Sequence, residues 1–193
     1  MHQLADRLSS FFVSQALIPS EKQYIYTYCF ESLFSLLLFY GGIFILAIYF
    51  KILIPTLWYI SCFCVFRSMS GGYHATTHIR CFLLSMTTYL LFVILYLQFP
   101  IQFYSFNITV LAILNTLILF FCAPLEHPNN PLTPDRCQKF RKRLQLLNIT
   151  LLFFLFCLLQ ISLKNIAFAL TLGYTQAAFS VALAFLLKQR RRS

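Results

Sequence analysis

The chain has 193 residues, of which 60% are hydrophobic and only 10% are charged, and its net charge is +10. A soluble domain carries about 25% charged residues, so this composition excludes a soluble globular protein and indicates an integral membrane protein with a single domain, residues 1–193. The apolar runs are continuous and do not alternate with polar residues, which favours an all-α membrane protein over a β-barrel. Basic residues beside apolar runs are typical of topology signals and of contact with anionic lipid, so we expect the lipid bilayer as a partner and no nucleic acid.

The order of polar and apolar runs along the sequence predicts one amphipathic helix followed by six transmembrane helices. In residues 1–17, Leu4, Leu8, Phe11 and Phe12 recur near helical spacing, which predicts a helix that lies in the membrane interface. Long apolar runs predict the spans at about residues 24–50, 52–66, 81–98, 105–123, 144–163 and 165–187.

The basic residues predict the orientation of these spans. Six spans place both termini on one side of the membrane, together with the polar, basic loop predicted at 124–143. On this topology 13 of the 15 lysines and arginines lie on that side, and only Lys51 and Lys164 lie on the other. Because cytoplasmic loops are rich in Lys and Arg, we expect a multi-pass membrane protein whose termini are cytoplasmic.

The second predicted span is short. Its 15 residues would make about 22 Å of helix, whereas the hydrocarbon core is roughly 30 Å thick. Either the helix continues into the polar residues that follow, or the bilayer is thinner there. Both options place the polar stretch 67–81, which reads RSMSGGYHATTHIRC, at the edge of the membrane.

This polar stretch contains the best candidate for a nucleophile. A nucleophilic cysteine needs a nearby base or cation and some exposure to solvent. Cys81 begins a predicted span, follows Arg80, and lies within seven residues of His74 and His78. Five of the other cysteines lie in apolar runs, and Cys137 is the rival thiol, with cations beside it but no close histidine.

The distance between His74 and Cys81 requires a bend. An unbroken helix would separate the two residues by about 10 Å along its axis, whereas a base must approach its nucleophile to about 3 Å. We therefore predict a re-entrant active-site segment with a bend around residues 70–77, loosened by Gly71 and Gly72. A new helix would then lead into Cys81 and direct its N-terminus near the thiol, which favours the thiolate.

Other polar residues leave alternatives open. His78, three residues before Cys81, could reach the thiol on a regular helix, and His74, His78 and Cys81 could together ligate a metal. Glu31 is a carboxylate inside a predicted span, where it would orient His74, pair with Arg67, or serve a structural role. The alternative functions are a small-solute or metal transporter that uses His74, His78 and Glu31, and a non-catalytic membrane scaffold.

The polar stretch also resembles a known family. Arg67, the motif GGxHA from Gly71, and Cys81 are similar to the active segment of the accessory gene regulator B (AgrB) family, the membrane cysteine peptidases of bacterial peptide quorum sensing. The stretch CAPLEHPNNPL, residues 122–132, is similar to a loop of that family. The resemblance implies a thiol protease, a hydrolase with no metal or other cofactor, in which Cys81 is the nucleophile and His74 its base.

The resemblance further implies the substrate. It would be an AgrD-like precursor signalling peptide with an amphipathic leader, a ring segment and a charged tail. Removal of the tail would allow cyclisation to a thiolactone or lactone autoinducing peptide. A homodimer is retained as one option for the oligomeric state. The residues that we place in supporting or substrate-binding roles are Arg67, Gly71, Gly72, Glu31 and His78.

Overall fold

The computed structural model describes residues 2–72, 78–98, 104–125 and 134–190, without the side chains of residues 78, 79, 81, 104, 134 and 188–190. Within these ranges the chain is helical, with one short 3-10 turn at Ser20–Lys22 and no strand. The helices are α1 His2–Ser14, α2 Gln23–Tyr49, α3 Leu53–Ser70, α4 His78–Gln98, α5 Tyr104–Cys122, α6 Pro134–Gln160 and α7 Lys164–Arg190.

Five helices of the described chain, α2, α3, α5, α6 and α7, are long and apolar enough to cross a membrane. The predicted class, an all-α integral membrane protein, is therefore confirmed. The apolar part of α4, Phe82–Gln98, is shorter and makes about 25 Å of helix. The count of six spans thus stays a prediction for this helix.

Two helix boundaries differ from the predicted spans by four residues or more. Helix α3 continues through Arg67 to Ser70. Of the two explanations for the short predicted span, this is the first, in which the helix continues into the polar stretch. Helix α6 begins at Pro134, so the second half of the predicted loop 124–143 is helical. Proline suits the first position of a helix, and Asp135 in the first turn offsets the positive helix N-terminus.

The described chain divides into two compact units, each considered by itself. The amino-terminal unit comprises residues 1–50 and 75–89, and the bundle unit comprises residues 51–74 and 90–193. The first thus contains α1, α2 and the beginning of α4. The second contains α3, the rest of α4, α5, α6 and α7.

In the amino-terminal unit, α1 packs on the first turns of α2 through polar contacts. The buried hydroxyls of Ser9 and Thr27 are 2.7 Å apart and hydrogen-bonded, and Gln23 donates to Ser10 over 3.0 Å. The imidazole of His2 contacts the carboxylate of Glu31. These pairs run in opposite directions along the two helices, so α1 and α2 form an antiparallel hairpin. The helix predicted to lie in the membrane interface is thus folded against α2.

In the bundle unit, small residues of α7 allow α3 to approach closely. A Cβ atom at Gly173 would meet the backbone carbonyl oxygen of Tyr59 in α3. Ala167, Ala177 and Ala178 of α7 are fully buried, as is typical of helix interfaces in membranes, where small side chains let two backbones come together. Helix α7 is therefore the central helix of this unit, and 44% of its 18-residue apolar stretch is buried.

A buried polar network joins the helices of the bundle unit. The fully buried hydroxyl of Tyr174 in α7 donates to Oδ1 of Asn148 in α6 over 2.7 Å and lies 3.0 Å from the hydroxyl of Thr116 in α5. One residue further along α7, Thr175 accepts a hydrogen bond of 2.8 Å from the amide of Asn115 in α5. In an apolar surrounding such groups are stable only when they are paired, so the network fixes the register of the three helices.

Candidate functional site

Cys81 lies in the first turn of a helix, where the sequence analysis places it. It is the fourth residue of α4, after the exposed Arg80. The first four backbone N–H groups of a helix have no partner within it, and they give this end a positive potential that favours a thiolate. The structure does not describe the side chains of Cys81 and His78. His74 as a whole lies outside the described residues, so its distance from Cys81 stays a prediction.

The chain leaves the helix before it reaches His74. Helix α3 ends at Ser70, and the next residue, Gly71, has φ 71° and ψ −145°, followed by Gly72 with φ 128°. Residues other than glycine rarely adopt these backbone conformations, which explains the Gly-Gly pair. Helix α3 therefore ends before His74 and does not continue through the glycine pair. The remainder of the predicted bend, residues 73–77, lies outside the described residues.

The segment after α5 covers this glycine corner. The backbone N–H of Leu125 donates to the carbonyl oxygen of Ser70 over 3.0 Å, and a Cβ atom at Gly71 would lie 2.5 Å from the carbonyl oxygen of Leu125. The backbone of Leu125 thus packs directly on the end of α3. Sequence reasoning noted this segment only through its resemblance to a family loop and missed the contact.

Arg67 and Ser180 approach the same corner from two helices. The half-buried guanidinium of Arg67, in the last turn of α3, donates to the carbonyl oxygen of Gly71. A Cβ atom at Gly72 would meet Nη1 of Arg67 and would lie 2.7 Å from Oγ of Ser180 in α7. The structure thus brings Arg67, Gly71 and Gly72 together, and their supporting role stays a prediction. Ser180 was not anticipated, because a lone serine in an apolar run carries no signal of its own.

Glu31 lies in α2, in the amino-terminal unit, where its carboxylate contacts His2. The two residues border an open cavity of about 450 Å³ between α1 and α2. The other residues that line this cavity are Asp6, Ser20, Gln23, Tyr24, Thr27 and Tyr28. The suggested roles of Glu31, to orient His74 or to pair with Arg67, stay predictions.

The cysteines of known placement are free thiols, namely Cys29, Cys62, Cys64, Cys122, Cys137 and Cys157. Among the described residues there is no group of three His, Cys, Asp or Glu side chains that could hold a metal ion. His74 and the side chains of His78 and Cys81 lie outside the described residues, so this observation does not bear on the metal site suggested for these three. Cys137, the rival thiol, is half-buried and is the fourth residue of α6, so it occupies the same helix position as Cys81.

Residues 5–184 match the family model of Accessory gene regulator B. No curated protein and no solved structure matches the chain. The matched range includes the polar stretch 67–81, the glycine corner, the segment 123–125 and Ser180. Since the match covers far more than half of the sequence, the chain belongs to the accessory gene regulator B family.

Proposed function

We propose that this protein is a membrane-embedded cysteine endopeptidase that removes the C-terminal tail of a precursor peptide and allows the remainder to cyclise. Membership of the family gives the chain a role in the processing of quorum-sensing peptides, and its helices make it a membrane protein. The proposal adds the residues and the chemistry. Cys81 is the nucleophile, His74 is its base, and the site opens toward the cytoplasm.

The observation that carries the proposal is the position of Cys81 in the first turn of α4, which begins at His78. The helix N-terminus at this position favours a thiolate. On the other side of the polar stretch, the chain leaves α3 at Gly71 and Gly72, so α3 ends before His74. The turn between His74 and Cys81 that a direct contact requires is part of the proposal.

The proposed chemistry proceeds in two acyl transfers. The Sγ thiolate of Cys81 attacks the backbone carbonyl carbon at the end of the ring segment, the C–N bond breaks, and the imidazolium of His74 protonates the departing amine of the tail. A thiol or hydroxyl of the precursor then loses its proton to His74 and attacks the thioester, which releases Cys81 and closes the ring. Exchange of one thioester for another is near thermoneutral, so closure needs no nucleotide when water is kept out.

The site at the membrane edge supports this second transfer. Helix α3 carries the glycine corner at its end, and the helix is apolar up to Phe66, so the corner follows directly on a membrane span. A thioester formed there is less accessible to water than one on a soluble enzyme. Arg67, beside the corner, supplies N–H donors suited to a peptide carbonyl or carboxylate.

The test uses purified protein in lipid vesicles and a synthetic precursor with an amphipathic leader, an internal Cys or Ser and an acidic tail. We expect cleavage to be abolished by Cys81→Ala and by His74→Ala, and mass spectrometry of the wild type to detect a peptide thioester on Cys81. Cys137→Ala is the matched control, because this thiol has the same helix position, and it should cleave at the wild-type rate.

The alternative functions give different results. Cleavage that survives both Cys81→Ala and His74→Ala would rule out the proposed enzyme. Stoichiometric metal in the purified protein that is lost with His74→Ala or His78→Ala would instead support the metal transporter. Absence of any acyl-enzyme with every peptide tested would favour the non-catalytic scaffold.

A further inference from the structure

A side chain of α7 reaches the backbone that leads into the His74 segment. Ser180 is half-buried, and its hydroxyl faces Gly72, where an added Cβ atom would lie only 2.7 Å from Oγ. Nη1 of Arg67 lies against the same point. A hydroxyl from α7 and a guanidinium from α3 therefore converge on one glycine.

The same corner is held on its other side. Arg67 donates to the carbonyl oxygen of Gly71, and Leu125 donates to that of Ser70 over 3.0 Å. Two adjacent glycines would by themselves sample many backbone conformations, at a large entropic cost of ordering. Contacts from three parts of the bundle unit select one of these conformations, and Ser180 is the contribution of α7.

We propose that Ser180 is a positioning residue for the catalytic histidine. His74 follows Gly72 by only two residues, so a rotation about the backbone of Gly72 displaces the imidazole directly. By occupying the space beside Gly72 together with Arg67, Ser180 sets the direction in which the chain leaves the corner. The proposal rests on the proposed function, because it needs His74 to act as the base of Cys81.

The test measures how the reactivity of Cys81 depends on pH, with no substrate present. Purified protein in lipid vesicles is treated with iodoacetamide from pH 5 to pH 10, and mass spectrometry follows the alkylation of the peptide that contains Cys81. A free thiol has a pKa of about 8.5, and a thiolate assisted by His74 reacts at lower pH. This readout reports on His74 and Cys81 separately from folding and from peptide binding.

We expect variants of Ser180 to move this profile toward that of an ordinary thiol. Ser180→Ala removes one atom, and it should lower kcat for precursor cleavage roughly 3- to 10-fold with KM within about 2-fold. Ser180→Val adds bulk against Gly72, and it should lower kcat by about 100-fold, as expected for a displacement near 1 Å. Ser180→Thr keeps the hydroxyl and should retain most of the activity.

A matched variant and a double mutant separate positioning from packing. Ala182→Val creates the same valine on α7 about 200° around the helix from Ser180, and it should leave the alkylation profile unchanged. Ser180→Ala and Arg67→Lys should be less than additive when combined, because both residues act on the same glycine. Additive losses would contradict this shared action.

The failure of this inference can be told from the failure of the proposed function. If the wild type alkylates at low pH and all Ser180 variants share its profile, only the positioning role is wrong. If the wild type has the profile of an ordinary thiol and cleavage survives Cys81→Ala, the enzyme proposal itself is wrong. Should Ser180→Val fail to fold, Ser180→Ala carries the same test with the smaller expected change.

Discussion

The amino-terminal unit and the bundle unit differ in what surrounds their helices. Of an 18-residue apolar stretch in the segment Ser20–Tyr49, which contains α2, only 11% is buried. Of the corresponding stretch in α7, 44% is buried. Most of α2 therefore faces outward, as a helix in contact with lipid does. Helix α7 packs against the backbone of α3 at Gly173 and pairs with α5 and α6 through Tyr174. A substitution of the same chemistry should consequently have very different effects in the two units.

Two glycines provide the largest contrast. Gly72→Ala in the bundle unit requires an alanine at φ 128° with its Cβ against Arg67 and Ser180, so the corner must shift. Because a displacement near 1 Å at a catalytic group can cost about 100-fold in rate, we expect precursor cleavage to fall by at least that factor. Cleavage of a synthetic precursor in lipid vesicles, measured by mass spectrometry, checks the loss.

Gly41→Ala is the matched control in the amino-terminal unit. A Cβ atom at Gly41 meets nothing within 4 Å, and alanine is the better helix former. Cleavage by this variant should equal that of the wild type. Normal cleavage by Gly72→Ala would contradict the role of the glycine corner, whatever the control shows.

A second pair of glycines compares helix packing. A Cβ atom at Gly173 would overlap the backbone of Tyr59, which cannot move without separating α7 from α3. A Cβ atom at Gly42 would come to 2.8 Å of Cε of Met86, the flexible end of a side chain. We expect Gly173→Ala to destabilise the protein by about 1–3 kcal/mol, and Gly42→Ala to be nearly neutral. Thermal unfolding in detergent micelles measures both, and equal midpoints would refute the comparison.

The polar network of the bundle unit predicts a somewhat smaller effect. Tyr174→Phe removes the hydroxyl that donates to Asn148, whose side chain is 3% exposed. A buried amide oxygen that loses its donor should cost about 1–2 kcal/mol in unfolding free energy. Tyr49→Phe is the control, because Tyr49 is 77% exposed, and its unfolding midpoint should not change. A neutral Tyr174→Phe would show that the network adds no net stability.

The helical architecture could be predicted from the sequence because the bilayer leaves few choices. A long apolar run must satisfy its backbone internally, so the run at 24–50 predicts a helix, and α2 spans Gln23–Tyr49. The end of α3 could also be predicted, since Gly71 and Gly72 tolerate positive φ, whereas the turn between His74 and Cys81 stays a prediction. Both inferences depend on local chemistry.

The contacts around the glycine corner could not be predicted in this way. Leu125 contacts Gly71 from 54 residues further along the chain, and Ser180 contacts Gly72 from 108 residues further along. No local sequence pattern encodes which helices pack together. The start of α6 was missed for another reason. Pro134 and Asp135 are helix-start signals, but the dense positive charge that follows was interpreted as a loop.

The location of α1 in the membrane interface stays a prediction, and its contact with α2 provides the smallest expected effect. Glu31→Gln removes the charge that faces His2, whose side chain is 79% exposed. Glu31 is only 18% exposed, but because its partner is open to solvent the pair should contribute no more than about 1 kcal/mol, and less still at high salt. Ser9→Ala breaks the buried hydrogen bond to Thr27 and should loosen α1 more. Amide hydrogen exchange of α1 ranks the two variants, and a greater increase in exchange with Glu31→Gln would mean that charge, rather than the buried hydroxyl pair, holds α1 against α2.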